Sequence, residues 1–127
     1  DPNNPTGTTV TDLSHYERLL DQARRHDVVG IFDKPYKDCV FDTETKPISI
    51  TQVPGLMDYG FEVVSFSKHH NFVGIGLGYI VSSEDNINMW HRLHEHFSQG
   101  EPWYHQMAGV TALTNPAAKT EMSAYMD

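Results

Sequence analysis

FEVVSFSKHHNFVGIGLGY, residues 61–79, joins an apolar run to a glycine-rich segment and places Lys68 at the junction. The run FEVVSF (61–66) predicts a strand, and the apolar residues from Leu77 to Ser82 predict another. The ten residues from 67 to 76 are too few for a helical crossover, so the second strand is expected to run antiparallel to the first. Lysine is rarely tolerated beside buried strands, which makes Lys68 the first candidate functional residue.

The chain before this stretch predicts a helix and a further strand. Apolar residues between Leu13 and Ala23 recur at helical spacing, with Thr11 or Ser14 as the N-cap. VVGIFD (28–33) is a continuous apolar run, which is typical of a strand covered on both faces. The connection 34–60 is long enough for a crossover, so this strand is expected to run parallel to 61–66.

The chain after this stretch predicts helices. One begins near Ser83, a second covers Trp103 to Leu113, and a third covers Ala117 to Met126. The apolar face of the first is formed by Ile87, Trp90, Leu93 and Phe97. Trp90, Trp103, Tyr104 and the methionines at 107, 122 and 126 are expected to pack, or else to form exposed patches that drive association. The predicted fold class is α/β, with helices packed on a mostly parallel sheet that has one antiparallel strand.

Composition fits one domain and argues against several partners. The 127 residues carry a formal net charge of −8, which disfavours nucleic acid or an anionic membrane. Apolar runs such as VVGIF (28–32) are far below the length of a membrane span, so neither a membrane span nor a secretory leader is expected from these residues. Cys39 is the only cysteine and is expected to be a buried, inert thiol in a reducing, cytoplasmic compartment.

Three polar residues stand where strands of such a sheet end, a position that usually marks a ligand site, and a curling chain could bring a fourth to the same ligand. Asn4 lies in the opening turn, Asp33 ends VVGIFD, Tyr36 follows three residues later, and Lys68 follows FEVVSF. An amide, a carboxylate, a phenol and an amine suit an aromatic heterocycle that carries a hydroxyl and an aldehyde. HRLHEH (91–96) offers paired histidines, but without a third ligand it predicts a solvated helix face and no metal site.

The motifs around these residues resemble those of one enzyme family. NPTG (4–7), D-x-x-Y (33–36), S-x-S-K (65–68) and G-x-x-x-G-Y (74–79) occur in the order found in class I and II pyridoxal-phosphate-dependent aminotransferases of the aspartate aminotransferase fold. Residues 1 to about 82 carry the resemblance. It implies that 1–127 is a partial large domain, in which 1–82 is a core of cofactor motifs and 83–127 a helical C-terminal segment.

The resemblance also implies a role for each candidate residue. Lys68 would hold pyridoxal 5'-phosphate through a Schiff base and then move the α-proton of an amino acid. Asp33 would keep the pyridine nitrogen protonated, and Asn4 and Tyr36 would hydrogen-bond the ring hydroxyl. Hydroxyls of the residues Ser65 and Ser67 would face the phosphate or the surroundings of Lys68. Taken one at a time, Asn4 is also a common turn residue, Tyr36 a possible core residue, and Ser65 an ordinary end of a strand.

Two departures from the family pattern bear on the cofactor. The position eight residues after the lysine, where these enzymes carry an arginine for the phosphate, is Gly76 here. His69 and His70 are expected to compensate only in part, because histidine is fractionally charged near neutral pH. Lys34, which replaces a commoner acidic or small residue, is expected to place a positive charge beside Asp33.

The functional expectation is a segment of an aminotransferase that acts on an amino acid and a 2-oxo acid, from a homodimeric parent enzyme. The chain begins with Asp1, which predicts a processed chain or a piece of a longer one, and the 127 residues are expected to be incomplete as a catalyst. The alternatives are a non-catalytic or degenerate scaffold domain, or a lyase or cyclase that uses the same cofactor and fold.

Overall fold

The computed structural model describes residues 2–40, 44–118, 121 and 124. The α-helices and strands, in chain order, are α1 (Leu13–His26), β1 (Gly30–Asp33), β2 (Gly60–Ser65), α2 (Phe66–His69), β3 (Gly78–Val81), α3 (Glu84–Phe97) and α4 (Trp103–Thr114). Short 3-10 helices at Ile50–Gln52 and Leu56–Tyr59 lie in the connection between β1 and β2. Within the described residues no helix is long and apolar enough to cross a membrane.

The three strands form one mixed sheet in the order β1-β2-β3. β1 and β2 are parallel, with Gly30 opposite Gly60 and Asp33 opposite Val63. β3 runs antiparallel to β2, with Ser65 opposite Gly78. Both predicted strand directions are confirmed, and so is the α/β class. The parallel pair matters for function, because both strands end at the same edge of the sheet.

Helix α1 lies where it was predicted, but a different residue is its N-cap. Its N-cap is Asp12, whose carboxylate accepts a hydrogen bond from the Ser14 N–H at 2.9 Å, so the prediction of Thr11 or Ser14 was wrong. Asp27 closes the helix in the left-handed conformation, at φ 51°. The buried residues Tyr16, Leu20 and Ala23 are spaced four and three apart, which places them on the one face that packs.

The hydrophobic core lies between α1, one face of the sheet and the connection that precedes β2. Its buried members are Tyr16, Leu20, Ile48, Ile50, Val53 and Leu56, and Phe32 of β1 packs against them. Residues 44–59 show no periodic spacing of apolar residues, because this segment packs through short 3-10 turns and single apolar residues. The core therefore fixes the ends of β1 and β2 from one side of the sheet.

The prediction that 28–33 is covered on both faces was wrong. The strand begins at Gly30, Val28 and Val29 are about half exposed, and Ile31 is 75% exposed. Only one face of this edge strand, the face of Phe32, packs on the core. An apolar run signals that burial is favourable, but the layers that would cover the second face are not among the described residues.

Helices α3 and α4 confirm the predicted positions, but several large apolar residues on them are exposed. Leu93 and Phe97 of α3 are 57% and 81% exposed, and Trp103 of α4 is 74% exposed. Tyr104 and Met107 are also exposed, so the expectation of exposed patches holds for them and the expectation of packing does not. Of the helix predicted over 117–126, residues 117 and 118 are helical, and most of the rest, including the methionines at 122 and 126, lies outside the described residues.

Candidate active site

Three segments that are far apart in sequence meet at the edge where β1 and β2 end. Tyr36 lies in a turn directly after β1, and Lys68 lies on α2 directly after β2. The Asn4 side-chain amide donates a hydrogen bond to the Tyr36 hydroxyl at 2.9 Å. The Lys68 ammonium nitrogen lies 5.7 Å from the centroid of the Tyr36 ring, within the range of a cation–π contact. Tyr36 is therefore the common neighbour of an amide and an amine.

The other three candidate residues lie at the same edge of the sheet. Asp33 is the last residue of β1 and is exposed, and Ser65 is the last residue of β2. The Ser65 hydroxyl accepts a hydrogen bond from the Ser67 N–H at 3.1 Å and so caps the helix that carries Lys68. The roles of Asp33, Ser65 and Ser67 toward a cofactor stay predictions.

The amine of Lys68 is accessible, since the residue is exposed on its short helix. Half-buried Cys39 directly follows the turn that contains Tyr36, and the positive charge of Lys68 acts to lower the pKa of its thiol. Burial and the Asp38 carboxylate nevertheless raise the pKa of the Cys39 thiol, so it stays protonated at neutral pH. An apolar cavity of about 400 Å³ lies elsewhere, beside β3 and α3, and Lys68 does not line it.

Lys34 does not act as the sequence suggested. Its side chain is 2% exposed, and its ammonium donates hydrogen bonds to the Tyr16 hydroxyl at 2.8 Å and to the Ile48 carbonyl. Burial lowers the pKa of Lys34, while the buried Glu62 carboxylate opposes that shift. The expected charge beside Asp33 is instead directed into the core, where it ties α1 and residue 48 to the end of β1.

The glycine-rich loop between α2 and β3 has a backbone that suits glycine. Gly74 and Gly76 have φ angles of +88° and +74°, in the left-handed region that other residues rarely adopt. Apart from Gly76 itself and its two chain neighbours, no described residue has an atom within 4 Å of the place where a Cβ of Gly76 would stand. Residue 76 thus has room for a side chain but a backbone that disfavours one.

His69 and His70 do not replace the missing arginine. His69 is 4% exposed, and burial lowers its pKa, with the Asp38 carboxylate opposing and His70 and Lys37 adding to the shift. Burial also lowers the pKa of His70. Both rings are therefore neutral near pH 7, and in the described part of the chain neither Nδ1 atom has a hydrogen-bond partner. The expectation of partial compensation was wrong for this reason.

Two charged residues beside Tyr36 were missed by sequence reasoning. Lys37 donates a hydrogen bond to the Tyr79 hydroxyl at 2.6 Å, and the Asp38 carboxylate lies 3.7 Å from Nε2 of His69. Burial lowers the pKa of Lys37, but the bond to Tyr79 and nearby negative groups raise it overall. The G-x-x-x-G-Y motif contained Tyr79, but spacing alone gives no sign that its partner is 42 residues earlier.

Buried His69 and half-buried His70 make folding stability depend on pH. Their pKa values are lowered in the folded chain, so the unfolded chain binds more protons below about pH 6.5, the ordinary pKa of histidine. Their contribution is complete above that pH and is lost as the pH falls through it. We expect the free energy of unfolding in urea to fall below pH 6.5, by up to about 1.4 kcal/mol per pH unit for each histidine.

A substitution separates this effect from acid unfolding in general. His69→Gln should flatten the curve between pH 6.5 and 5.5, whereas His91→Gln, which changes an exposed histidine on α3, should leave it unchanged. Parallel curves for the wild-type chain and His69→Gln would contradict the assignment.

Comparison with protein families gives one match over the whole chain. The family model described as aminotransferase class I and II matches residues 1–127. An LL-diaminopimelate aminotransferase from Moorella thermoacetica is 35% identical over 115 residues, which are 91% of this chain and 29% of the relative. One from Aquifex aeolicus is 32% identical over 120 residues, 94% of this chain and 30% of the relative. The chain therefore spans about 30% of the length of these relatives.

Solved structures agree with this match. A probable N-succinyldiaminopimelate aminotransferase from Thermus thermophilus superposes with a TM-score of 0.84 at 31% identity, covering 98% of this chain and 33% of that one. BacF from Bacillus subtilis gives a TM-score of 0.84 at 28% identity, covering 98% of this chain and 32% of that one. The sheet edge with Asn4, Tyr36 and Lys68 thus belongs to a fold that recurs in these proteins.

Proposed function

The chain belongs to the class I and II aminotransferase family, and on that premise we propose that it forms the lysine-bearing part of a pyridoxal-phosphate-dependent aminotransferase. The observation that carries the proposal is the meeting of Asn4, Tyr36 and Lys68 at one edge of the sheet. The substrates would be an amino acid and a 2-oxo acid. Because two relatives are LL-diaminopimelate aminotransferases, LL-diaminopimelate is the first amino acid to assay.

The described residues fit the ring end of this cofactor. An exposed primary amine lies over a phenol, and the hydroxyl of that phenol is already polarised by a side-chain amide. Such a set can hold a hydroxylated aromatic aldehyde, because the amine can react with the aldehyde and the phenol can donate to the ring hydroxyl. The phosphate end is less well served, since residue 76 is a glycine and the two histidines are neutral.

Each residue would then act through its own chemistry. Pyridoxal 5'-phosphate, when bound, supplies an electron sink for the α-carbon of an amino acid. Lys68 would be the covalent attachment point and, once released, would take and return the α-proton at its Nζ atom. Asp33 would hold a proton on the ring nitrogen, Asn4 and Tyr36 would orient the ring through its hydroxyl, and Ser65 and Ser67 would hold the amine in place by starting α2.

The direct test is reaction of the chain with pyridoxal 5'-phosphate, followed by borohydride reduction and peptide mapping. We expect one cofactor per chain, attached at Lys68. Surface lysines react slowly with aldehydes, so exposed Lys46 provides the internal reference. Equal labelling of Lys46 and Lys68, or no reducible adduct, would contradict the proposal.

One observation favours a second candidate, a non-catalytic or degenerate domain of the same family. The left-handed backbone of Gly76 disfavours the arginine that these enzymes carry at this position, and a domain that binds no phosphate would not need that arginine. A lyase or cyclase that uses the same cofactor would share the ring-end residues and is a third possibility within the same proposal.

Comparison of Gly76→Arg with Gly76→Ala separates a live site from a dead one. Both variants carry the same backbone strain, about 1–2 kcal/mol, so the difference between them reports the guanidinium alone. In a live site a charge-assisted hydrogen bond to phosphate should tighten cofactor binding about 10- to 100-fold relative to Gly76→Ala, as measured by fluorescence titration. Equal affinities for the two variants would favour the non-catalytic domain.

The same proposal extends to assembly and location. We propose a cytoplasmic location, because the single cysteine of these 127 residues cannot form a disulfide within them. We also infer a homodimer, which would cover exposed apolar residues such as Trp103 and Phe97. Sedimentation of the purified protein would test the assembly.

A further inference from the structure

The turn that carries Tyr36 is held on two sides by its own charged residues. This segment, called the Tyr36 turn and defined as residues 35–38, follows β1 and is closed by a hydrogen bond from the Cys39 N–H to the Tyr36 carbonyl at 2.9 Å. Lys37 reaches β3, where its ammonium donates to the Tyr79 hydroxyl and lies 5.3 Å from the centre of that ring. Asp38 reaches α2, where its carboxylate lies 3.7 Å from Nε2 of His69.

These two contacts flank the contact between Tyr36 and Lys68. Lys37 follows Tyr36 directly in the turn, and His69 follows Lys68 directly on α2. The contact between Lys68 and the Tyr36 ring is itself weak, because Lys68 is exposed and its 5.7 Å distance is near the limit for such a pair. The hydrogen bond from Asn4 holds the Tyr36 hydroxyl, and further contacts are needed to fix the turn relative to α2.

The flanking contacts are better placed to do so, because their partners are packed. His69 is 4% exposed, and its ring lies 4.3 Å from His70 and 5.7 Å from Phe66. The ring of Tyr79 contacts Phe66 edge-on at 5.9 Å. The hydrogen bond from Lys37 to Tyr79 is partly buried and is therefore stronger than it would be in water. The Asp38 carboxylate is 57% exposed and faces a neutral His69, so its contact is one between a charge and the dipole of a packed ring.

We propose that Lys37 and Asp38 are positioning residues, which clasp the Tyr36 turn to β3 and α2 and thereby hold the Tyr36 phenol against the Lys68 amine. The importance of that juxtaposition for catalysis rests on the proposed function, since a reacting amine and its orienting neighbours must keep a fixed geometry. The clasp itself exists in the chain without any cofactor, and it can be tested there.

The test is the proton NMR spectrum of the cofactor-free chain. Ring currents shift protons that lie over an aromatic face upfield, so the Lys68 ε-methylene protons should resonate upfield of those of Lys46. Asp38→Asn removes the charge that faces His69, and Tyr79→Phe removes the acceptor of Lys37 but keeps the ring. We expect each variant to reduce the upfield shift, and the double variant to reduce it by at least half.

Matched controls separate positioning from general loosening. Glu95→Gln makes the same kind of change at an exposed carboxylate, 3.5 Å from His91 on α3, and should leave the Lys68 signal unchanged. Lys37→Arg retains a donor for Tyr79 and should preserve the shift. Nuclear Overhauser contacts between backbone amide protons of β1 and β2 report whether the sheet is intact. If the double variant loses these contacts, the Lys68 shifts of the two single variants decide whether the proposal holds.

An unchanged Lys68 shift in folded Asp38→Asn and Tyr79→Phe chains would overturn the clasp. So would a wild-type shift equal to that of Lys46. Neither result depends on cofactor binding. A chain that shows the clasp but forms no adduct at Lys68 would refute the proposed function and leave the clasp standing.

Discussion

Replacing Lys34 with methionine should lower the free energy of unfolding by about 3–5 kcal/mol, as measured in urea. The substitution keeps the length of the side chain but removes the donor that binds the Tyr16 hydroxyl and the Ile48 carbonyl. It also leaves the carboxylate of Glu62, which is 3% exposed, without a nearby buried positive charge. An uncompensated buried charge costs more than the hydrogen bonds themselves.

A double substitution tests whether charge or packing causes the loss. Glu62→Gln removes the negative charge and can keep a hydrogen bond to the Ile50 N–H, which Glu62 now accepts at 3.0 Å. In the chain with both Lys34→Met and Glu62→Gln, no buried charge is left unpaired. We expect the double variant to lose less stability than the sum of the two single variants.

Lys46→Met is the matched control, because the same change at an exposed lysine should alter stability by no more than about 0.5 kcal/mol. A loss for Lys34→Met no greater than for Lys46→Met would show that the buried ammonium contributes nothing. Additive losses in the double variant would show that Lys34 and Glu62 act independently.

The sheet could be predicted from sequence because its signals are local. The apolar runs at 28–33 and 61–66 marked two strands, and the lengths of the two connections set their parallel and antiparallel directions. Helices α1, α3 and α4 followed from apolar residues at helical spacing. What failed was burial, as Ile31 and Phe97 show, because exposure depends on which other layers are present.

In the candidate site, too, features set by local sequence could be predicted and features set by distant neighbours could not. Motif order placed Asn4, Tyr36 and Lys68 together, since each lies at a strand end or an opening turn where short-range rules hold. The directions in which charged side chains point could not be predicted from motif order. Lys34 turns into the core and Lys37 reaches Tyr79, and both outcomes depend on neighbours that are 14 to 42 residues away.

Lys68→Arg should abolish the borohydride-reducible adduct with pyridoxal 5'-phosphate. Arginine keeps the positive charge and can still lie over the Tyr36 ring, but a guanidinium stays protonated and does not condense with an aldehyde at neutral pH. Because residue 68 is exposed, the fold should be unaffected, with a change in stability of no more than about 0.5 kcal/mol. Lys46→Arg, the matched control, should form the adduct as the wild-type chain does.

Under the proposed function, the loss should extend to transamination, because removal of a proton-transferring amine alone costs about 10²- to 10⁴-fold in rate. Lys37 lies in the turn that carries Tyr36, and it offers no replacement because its ammonium is half-buried and bound to Tyr79. An adduct that persists in Lys68→Arg would have to be mapped to another lysine. If that lysine proved to be Lys37, the reacting amine would be the one that we assign to holding the Tyr36 turn. The assignment of Lys68 as the attachment point and of Lys37 as a positioning residue would then both be wrong.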